Sequence, residues 1–440
     1  MKTPSRAFGL LGAIILTIIF APLIVAKPVP SKNAEVLEQL EVFAHVFSLV
    51  RENYVEDTED ATLIEDALNG ALESLDPHSH YVAKKDFQEQ QKSSRREYGG
   101  LGIEVTLENG LVKVNYANPD APAARAGIKA GDYITAVEGE KVLGKTLDEA
   151  VEGMRGLAGD PITVTVLSVD QAARDITLTR EVIQGRAVRH RMEDGMGYVF
   201  IETFNHPRLN IDFKTAVEEL KAQAGGTLPG LIMDLRGNRG GLLDQSVHIS
   251  GYFLDGGEVL SARGRKPEDT ERYNAERGEL FEGMPLVVLI NSGSASAAEI
   301  VAGAIQDRGR GLILGRRSFG KGSVQSVIPL RNGGGALRLT TQRYFTPSGK
   351  SIQGRGIVPD VLIASRPDTG EIRERFREDS LRNALTNEDE ADYQEDYDAI
   401  DYPPEDWPLT EDYQVKQAVT LLKSYKYKTL LADLNNGTTP

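Results

Sequence analysis

Apolar positions in the first hundred residues recur every three to four places, which predicts amphipathic helices. The first such segment is Glu35–Arg51, and a second runs over Thr62–Ser74. Asp76-Pro77 ends the second helix, because the residue before proline disfavours helical dihedrals. A third, more polar helix is predicted over Asp86–Glu97. Residues 34–97 are therefore interpreted as an N-terminal helical region.

Short apolar runs alternate with helical patterns later in the chain, which is typical of an α/β sheet. The predicted strands are Gly197–Phe204, Gly230–Asp234, Pro285–Ile290 and Leu312–Leu314. The predicted helices are Ile211–Ala222, Leu242–Phe253 and the segment that follows Ser296. Residues 188–364 are interpreted as an α/β core, which makes the whole a multidomain α/β (α+β) protein.

The last part of the chain is dominated by acidic residues. Glu388–Asp412 holds twelve acidic residues in 25 positions and no basic ones, which is typical of a solvated linker. Tyr413–Leu431 is amphipathic and predicts a docking helix, for which a neighbouring subunit is one candidate partner. Residues 365–440 are therefore interpreted as an acidic linker followed by a C-terminal helical extension.

The first 26 residues have the layout of a targeting segment. Lys2 and Arg6 precede the apolar stretch Phe8–Ala26, which fits a signal peptide or a membrane anchor. Ile24 is not a small residue, so cleavage after Ala26 stays open. The rest of the chain is expected outside the cytoplasm, in the periplasm of a bacterium or anchored to its inner membrane. Membrane contact is expected only through this segment.

The composition and net charge of the chain exclude several kinds of partner and of catalytic site. The net charge of −15 argues against a nucleic-acid partner. The absence of cysteine excludes disulfides, a cysteine nucleophile and thiolate metal sites. The six histidines show no zinc-ligand spacing, so neither a metal nor a cofactor is predicted.

The candidate chemistry lies between Asn291 and Gln325. A serine there would stand at the turn from a buried strand into a helix, where the helix N-terminus favours developing negative charge. This stretch contains no histidine, so the base for the serine must be another group or come from elsewhere. A lysine can serve if burial removes its charge.

Four motifs resemble the carboxyl-terminal processing (tail-specific) serine proteases. They are S-A-S-A-A-E (Ser294–Glu299) followed by F-G-K-G-S-V-Q (Phe319–Gln325), D-L-R-G-N-R-G-G (Asp234–Gly241), Y-F-T-P-S-G-K-S-I-Q-G-R-G-I-V-P-D (Tyr344–Asp360) and L-D-P-H-S-H-Y-V (Leu75–Val82). The family pattern places its serine 25 residues before its lysine. Since 321 − 25 = 296, the resemblance implies Ser296 as nucleophile, Lys321 as base and Gln325 as the group that orients the lysine.

The same resemblance implies an oxyanion hole. One backbone N–H would come from Gly240 or Gly241, and the other from Ala297, the residue after the nucleophile. Family members often receive their substrates from a lipoprotein adaptor, so such an adaptor is an expected partner.

Residues 98–184 resemble a PDZ domain. Gly100, Leu101, Gly102 and Ile103 would form the loop that binds the C-terminal carboxylate of a peptide, with strand addition beside Ile103. The apolar character of Leu101 and Ile103 predicts protein substrates with apolar C-termini.

The predicted function is a periplasmic serine endopeptidase that recognises protein C-termini and forms homo-oligomers. The alternative from another class is a non-catalytic PDZ scaffold or chaperone of the cell envelope. Gly315–Lys321 is close to a phosphate-binding loop, but the next residues alternate like a strand rather than a helix. A Ser-His-Asp triad with His248 and Asp244 is conceivable, although the chain has no G-x-S-x-G motif.

Overall fold

The computed structural model describes residues 32–88, 98–108, 110–118, 121–168, 172–182, 187–366, 377–387, 399–408 and 410–436. The predicted targeting segment, residues 1–26, lies outside these ranges and stays a prediction. Within the described ranges, none of the helices combines the length and the apolar character that crossing a membrane requires.

Helices form the N-terminal region, as the apolar spacing predicts. Helix α1 spans Lys32–Asn53 and α2 spans Asp60–Glu73. A short strand, β1 (His80–Val82), and a third helix, α3 (residues 84–88), follow; the rest of the predicted third helix falls outside the described residues. Contacts divide the chain into two compact units, Met1–Ile64 and Glu65–Pro440.

An antiparallel sheet of strand order β3-β4-β5-β8-β9, with β6 paired to β5, follows the helices. Strands β2, β7 and β10 form a separate small sheet. Thr146 and Glu149 form a capping box that starts helix α5, whose Ala150 and Met154 face the apolar core of this region. The elements are β2 (Tyr98–Gly100), β3 (Ile103–Glu108), β4 (Leu111–Ala117), α4 (Pro122–Arg125), β5 (Tyr133–Val137), β6 (Glu140–Lys141), α5 (Leu147–Met154), β7 (Gly156–Leu157), β8 (Pro161–Leu167), β9 (Arg174–Thr179) and β10 (Glu181–Val182).

The main sheet has six strands in the order β11-β12-β13-β16-β17-β20, antiparallel at β11 and parallel elsewhere. This arrangement confirms the predicted α/β class. The elements are β11 (Val188–Glu193), β12 (Met196–Ile201), α6 (Leu209–Gln223), β13 (Leu231–Asp234), α7 (Leu243–Gly251), β16 (Leu286–Ile290), α8 (Ala297–Asp307), β17 (Leu312–Gly315) and β20 (Val361–Leu362).

Both faces of the main sheet are buried, which explains why its strands are continuous apolar runs. Met233 and Val288 point to the core shared with helices α6, α7 and α8. Ile232 and Val287 point to the opposite face, where the C-terminal helices pack. Each fully buried side chain of this kind contributes about 1.5–3 kcal/mol of transfer free energy.

A second sheet has the order β1-β19-β14-β15, and β18 pairs with the other side of β19. It brings the Leu75–Val82 motif, which contains β1, beside the strands that follow Lys321. The strands are β14 (Gly257–Gly264), β15 (Glu271–Ala275), β18 (Ser323–Pro329) and β19 (Ala336–Phe345). Short 3-10 helices lie at Pro267–Asp269, Arg331–Gly333 and Glu378–Ser380.

The C-terminal extension forms two helices rather than one, α9 (Tyr413–Lys423) and α10 (Tyr425–Asn435). They pack against the main sheet of their own chain, so the docking partner is intramolecular. Asp412 caps α9 and also accepts from Arg236 Nη1 at 3.1 Å, while Arg236 Nε donates to Asp234 at the end of β13. This ion-pair network joins the extension to the sheet edge that carries the candidate site.

Part of the predicted acidic linker is also fixed to the sheet. Asp401 N–H donates to Leu362 O at 2.9 Å, and Asp401 O accepts from Ala364 N–H at 2.8 Å. Residues 388–398, the most acidic part, lie outside the described residues. The interpretation as a solvated linker is therefore wrong for the segment around Asp401, because backbone hydrogen bonds hold it against β20.

Candidate active site

The loops after β13 and β16 meet at one edge of the main sheet, because these strands are parallel neighbours. Ligands of open α/β sheets bind at the carboxyl ends of the strands, which is where these loops lie. The loop after β13 contains Gly240 and Gly241, and the loop after β16 contains Ser296.

Ser296 occupies a strained position at the start of α8. Its φ of 56° and ψ of −115° are rare for a residue with a Cβ. Its side chain is half-buried and makes no capping hydrogen bond to the helix. The turn therefore presents a hydroxyl at a helix N-terminus instead of using it as a cap.

Ser294, the other serine of the S-A-S-A-A-E motif, is buried and holds the loop in place through hydrogen bonds. It is fully buried, and its Oγ donates to Leu235 O at 2.7 Å and accepts from Asn291 N–H at 3.0 Å. These bonds tie the two loops together and leave Ser296 as the motif serine with an accessible hydroxyl.

The two candidate oxyanion glycines have different surroundings. A Cβ on Gly240 would lie 2.9 Å from both Ala297 N and Ser296 Cβ, so only glycine fits against the candidate nucleophile. The Gly240 N–H, however, donates to Asn238 Oδ1 at 2.8 Å. Among the described residues, no acceptor is found for the N–H of Gly241 or of Ala297. These two N–H groups are therefore free to donate, one in the loop that contacts Ser296 and the other in the residue that follows it.

Lys321 lies in the loop between β17 and β18 and is half-buried. Burial lowers the pKa of its amine; the positive charge of Arg338 acts in the same direction, and the carboxylates of Glu378, Glu299 and Asp76 oppose it. Within the described part of the chain, its Nζ has no hydrogen-bond or ion-pair partner. A lysine in such surroundings reaches its neutral form at a lower pH than a solvated one.

Glu299 connects the two halves of the site, and the sequence reasoning did not assign it a role. Its side chain is fully buried, and one carboxylate oxygen accepts from Ser296 N–H at 2.7 Å and from Lys321 N–H at 2.9 Å. The other accepts from Ser318 Oγ at 2.6 Å and from Gly320 N–H at 2.7 Å. Burial raises the pKa of Glu299 to about 7, although the four hydrogen bonds act in the opposite direction. One carboxylate thus fixes the serine turn relative to the lysine loop.

Replacing Glu299 by glutamine is expected to lower kcat about 100-fold while the chain still folds. The amide NH₂ group would face two of the four donors, so the serine turn and the lysine loop would shift relative to each other. Peptidase assays together with thermal unfolding check this. Asp307→Asn, at the far end of α8, is the matched control, and equal activity of both variants would contradict the assignment.

Gln325 is near the lysine loop but is not bonded to the amine in this structure. Its Nε2 donates to Ser323 Oγ at 3.0 Å and to Thr340 Oγ1 at 3.3 Å. The Thr340 hydroxyl in turn donates to Asp76. The structure therefore places Gln325 in a polar network next to the lysine loop and leaves its role in orienting Lys321 a prediction.

The predicted peptide-binding residues lie at the start of β3, an edge strand of its sheet. Leu101 is buried, Ile103 is half-buried, and Gly102 has a φ of 74° that favours glycine. Gly100 ends strand β2. An edge strand with free backbone groups is the feature that strand addition requires.

The structure supports neither the phosphate-binding loop nor the Ser-His-Asp triad with His248. The residues after Lys321 form strand β18, so the phosphate-loop interpretation lacks its helix N-terminus. His248 is exposed, and its Nδ1 contacts Asp244 O of its own helix at 2.6 Å. Within the described residues, no group of three or more His, Asp or Glu side chains could hold a metal.

Three family models match the chain. Residues 195–363 match peptidase family S41, residues 113–168 match a PDZ domain, and residues 25–86 match the N-terminal domain of the activating protease CtpB. A carboxy-terminal-processing protease of Bartonella bacilliformis is 46% identical over 345 residues, which cover 78% of this chain and 79% of the relative. The chain belongs to the carboxy-terminal-processing protease family.

The chain is also similar to more distant proteins. A "Probable CtpA-like serine protease" of Staphylococcus aureus is 31% identical and covers 80% of this chain and 71% of its own length. Among solved structures, the photosystem II D1 C-terminal processing protease is 29% identical with a TM-score of 0.44, covering 74% of this chain and 92% of its own. This carboxy-terminal-processing protease is a serine-type protease with a PDZ domain, as the motifs predict.

Proposed function

We propose that this protease is a periplasmic serine endopeptidase that cuts with Ser296 as nucleophile and Lys321 as general base. The observation that carries the proposal is the Glu299 carboxylate, which accepts from the N–H groups of both residues. It supports a site in which a strained, uncapped serine and a partly desolvated lysine belong to one rigid unit.

The chemistry follows from these groups. The neutral amine of Lys321 takes the proton of Ser296 as Oγ bonds to the peptide carbonyl carbon. Breaking of the C–N bond then leaves an acyl-enzyme, and the lysine ammonium returns its proton to the departing amine. Water, deprotonated by the same lysine, hydrolyses the ester and restores the serine. No metal or redox cofactor enters this sequence.

Two backbone N–H groups are proposed to hold the negative charge of the carbonyl oxygen. Ala297 supplies one, at the N-terminus of α8, and Gly241 the other, because the N–H of Gly240 is engaged with Asn238. Gly240 is proposed to serve by its lack of a Cβ, which allows the loop to approach Ser296. Gln325 retains its proposed orienting role, with Oε1 as the atom that would accept from the lysine amine.

The PDZ domain is proposed to bind the C-terminus of the substrate in the groove between β3 and α5. Leu101 and Ile103 are accompanied there by the partly buried apolar side chains of Val105 and Val151. The loop before β3 would bind the terminal carboxylate, while an apolar groove of this kind favours uncharged side chains in the tail and disfavours side-chain carboxylates.

Two aspartates added to the C-terminus of a protein substrate are expected to slow its cleavage about tenfold at low substrate concentration. Each added carboxylate would have to lose water in an apolar groove, so kcat/KM falls mainly through KM. Initial rates on matched substrates measure the effect. Two added serines serve as the length control, and equal rates for both tails would contradict apolar selection.

Location and partners are proposed from the N-terminal apolar segment and from exposed apolar side chains. The apolar segment Phe8–Ala26 supports export to the periplasm, which fractionation of cells that express the chain would test.

The exposed apolar side chains of α1, among them Leu37 at 61% and Phe43 at 50%, support a homo-oligomer. A monomeric mass in light scattering would refute it. A lipoprotein adaptor remains a proposal, and its absence from pull-downs of the envelope fraction would count against it.

Cleavage of an unfolded protein tests the proposed activity. The purified chain should cut the protein internally, and mass spectrometry of the fragments should show new C-termini upstream of the original tail. The non-catalytic scaffold predicts binding of the same protein without any fragment.

A further inference from the structure

The segment of residues 377–387, called the strap below, lies against the loop that carries Lys321. Glu378 N–H donates to Phe319 O at 3.1 Å, two residues before the lysine. At the other end of the strap, Asn387 Nδ2 donates to Gln353 O at 2.7 Å. The strap follows the region matched by the peptidase family model, and its sequence gives no sign of a role in the site.

Glu378 places a fully buried carboxylate beside the lysine loop. Its carboxylate lies 2.8 and 3.0 Å from His78 Nε2 and accepts from Gln353 Nε2 at 3.0 Å. Gln353 Oε1 accepts from Gly322 N–H at 3.1 Å. Glu378 is therefore tied to the chain on both sides of Lys321, by its own backbone before the lysine and through Gln353 after it.

The charges around Lys321 come from four different elements. Glu378 belongs to the strap, Arg338 to β19, Glu299 to α8, and Asp76 to the turn before β1. The carboxylates of Glu378, Glu299 and Asp76 favour the ammonium form of Lys321, whereas Arg338 favours the neutral amine.

The charge of Glu378 is only partly balanced by its own partners. Among the described residues, His78 is its one ion-pair partner, and no lysine or arginine lies within ion-pair distance. A buried carboxylate without a permanent cation interacts strongly with any positive charge that appears nearby. Lys321 gains such a charge when it takes a proton during the reaction.

We propose that Glu378 is a positioning residue of the serine–lysine site, where its charge stabilises the ammonium that forms on Lys321 as Ser296 attacks. This rests on the proposed function. In a Ser-His-Asp triad a buried carboxylate stabilises the cation on the base through a direct hydrogen bond. Glu378 would do so through its charge, because its hydrogen bonds go to His78 and Gln353. The strap would then complete the active site, and its position on the lysine loop would govern activity.

Glu378→Gln tests the proposal through the pH dependence of kcat. The amide keeps the size of the side chain but removes its charge, so the ammonium form loses stabilisation. The midpoint of the rise of kcat with pH should move about one unit towards acid, since a close opposite charge shifts a pKa by about one unit or more. The plateau value of kcat should fall about tenfold, and KM should change less than about twofold.

Two control variants isolate the charge of Glu378. Asp379→Asn removes a charge from the next residue of the strap, whose side chain is 46% exposed and 3.7 Å from Arg317, and should leave the midpoint unchanged. Arg338→Gln removes the exposed opposing charge and should move the midpoint towards alkaline pH.

The outcomes separate this inference from the proposed function. A lower kcat in Glu378→Gln with an unshifted midpoint would mean a structural role only and would overturn the inference, even if Ser296→Ala is inactive. An active Ser296→Ala variant would instead overturn the proposed function. If the glutamine variant does not unfold cooperatively, Glu378→Asp carries the test. Aspartate retains the charge, so kcat of Glu378→Asp should stay within about threefold of the wild-type value if the charge matters. If Glu378 only fills space, the shorter side chain should lower kcat as much as glutamine does.

Discussion

Ser296→Ala is expected to lower kcat by about 10⁴-fold or more while the thermal unfolding transition stays close to that of the wild type. The hydroxyl is the proposed attacking group, and no other described serine shares its place at the start of α8. Because this hydroxyl makes no capping bond, its removal costs the fold little. Cleavage of an unfolded protein, followed by gel and mass spectrometry, measures the loss.

Ser292→Ala is the matched control for this experiment. Ser292 lies in the same loop and is half-buried, so its alanine variant should keep most activity. Ser294→Ala is a poorer control, because Ser294 Oγ holds the loop to Leu235 O. A Ser296→Ala enzyme with more than about a hundredth of wild-type activity would refute the assignment of the nucleophile.

Lys321→Ala and Lys321→Arg are both expected to be about as inactive as Ser296→Ala. Nucleophile and base act as one unit, so the loss of either removes nearly all of the rate enhancement that the pair provides. Arginine keeps the positive charge but cannot deprotonate at accessible pH, so it cannot act as a base. Lys350→Arg, an exposed change, should be neutral. A fully active Lys321→Arg enzyme would contradict the mechanism.

The pKa of Lys321 is expected to set the pH dependence of kcat. Activity requires the neutral amine, so kcat should rise with pH as Lys321 loses its proton. Burial lowers the pKa of Lys321, which places the midpoint below the ordinary lysine value of about 10.4. A rate that falls with rising pH between about pH 6 and pH 9 would contradict a lysine base.

Much of the fold could be predicted from periodicity. The runs that became β13, β16 and β17 are buried on both faces, so their uninterrupted apolar character identified them directly. The C-terminal helices were harder, because an amphipathic pattern gives an apolar face but not its partner. Only the tertiary structure shows that α9 covers Ile232 and Val287 of its own sheet.

The site itself could be predicted only in part. Ser296 and Lys321 followed from a family spacing, and the structure adds the reason why Ser294 is unsuitable. Glu299 stands three residues after Ser296, a spacing that local pattern can relate to a helix start. Its other three donors, Ser318, Gly320 and Lys321, come from a loop about twenty residues away, which local pattern cannot bring together with it. Glu378 sits in a region whose composition predicts solvation, yet His78 and Gln353 hold it in a buried pocket. Both carboxylates depend on contacts between distant parts of the chain.

Covalent labelling tests the central claim, that Ser296 is activated by Lys321, most directly. A fluorophosphonate probe reacts with activated serines, and peptide mapping by mass spectrometry locates the adduct. The account predicts a single adduct on Ser296 in the wild type, whose rate of formation rises with pH, and almost none in Lys321→Ala. Labelling of a different residue, or labelling of Ser296 at an unchanged rate in Lys321→Ala, would contradict it.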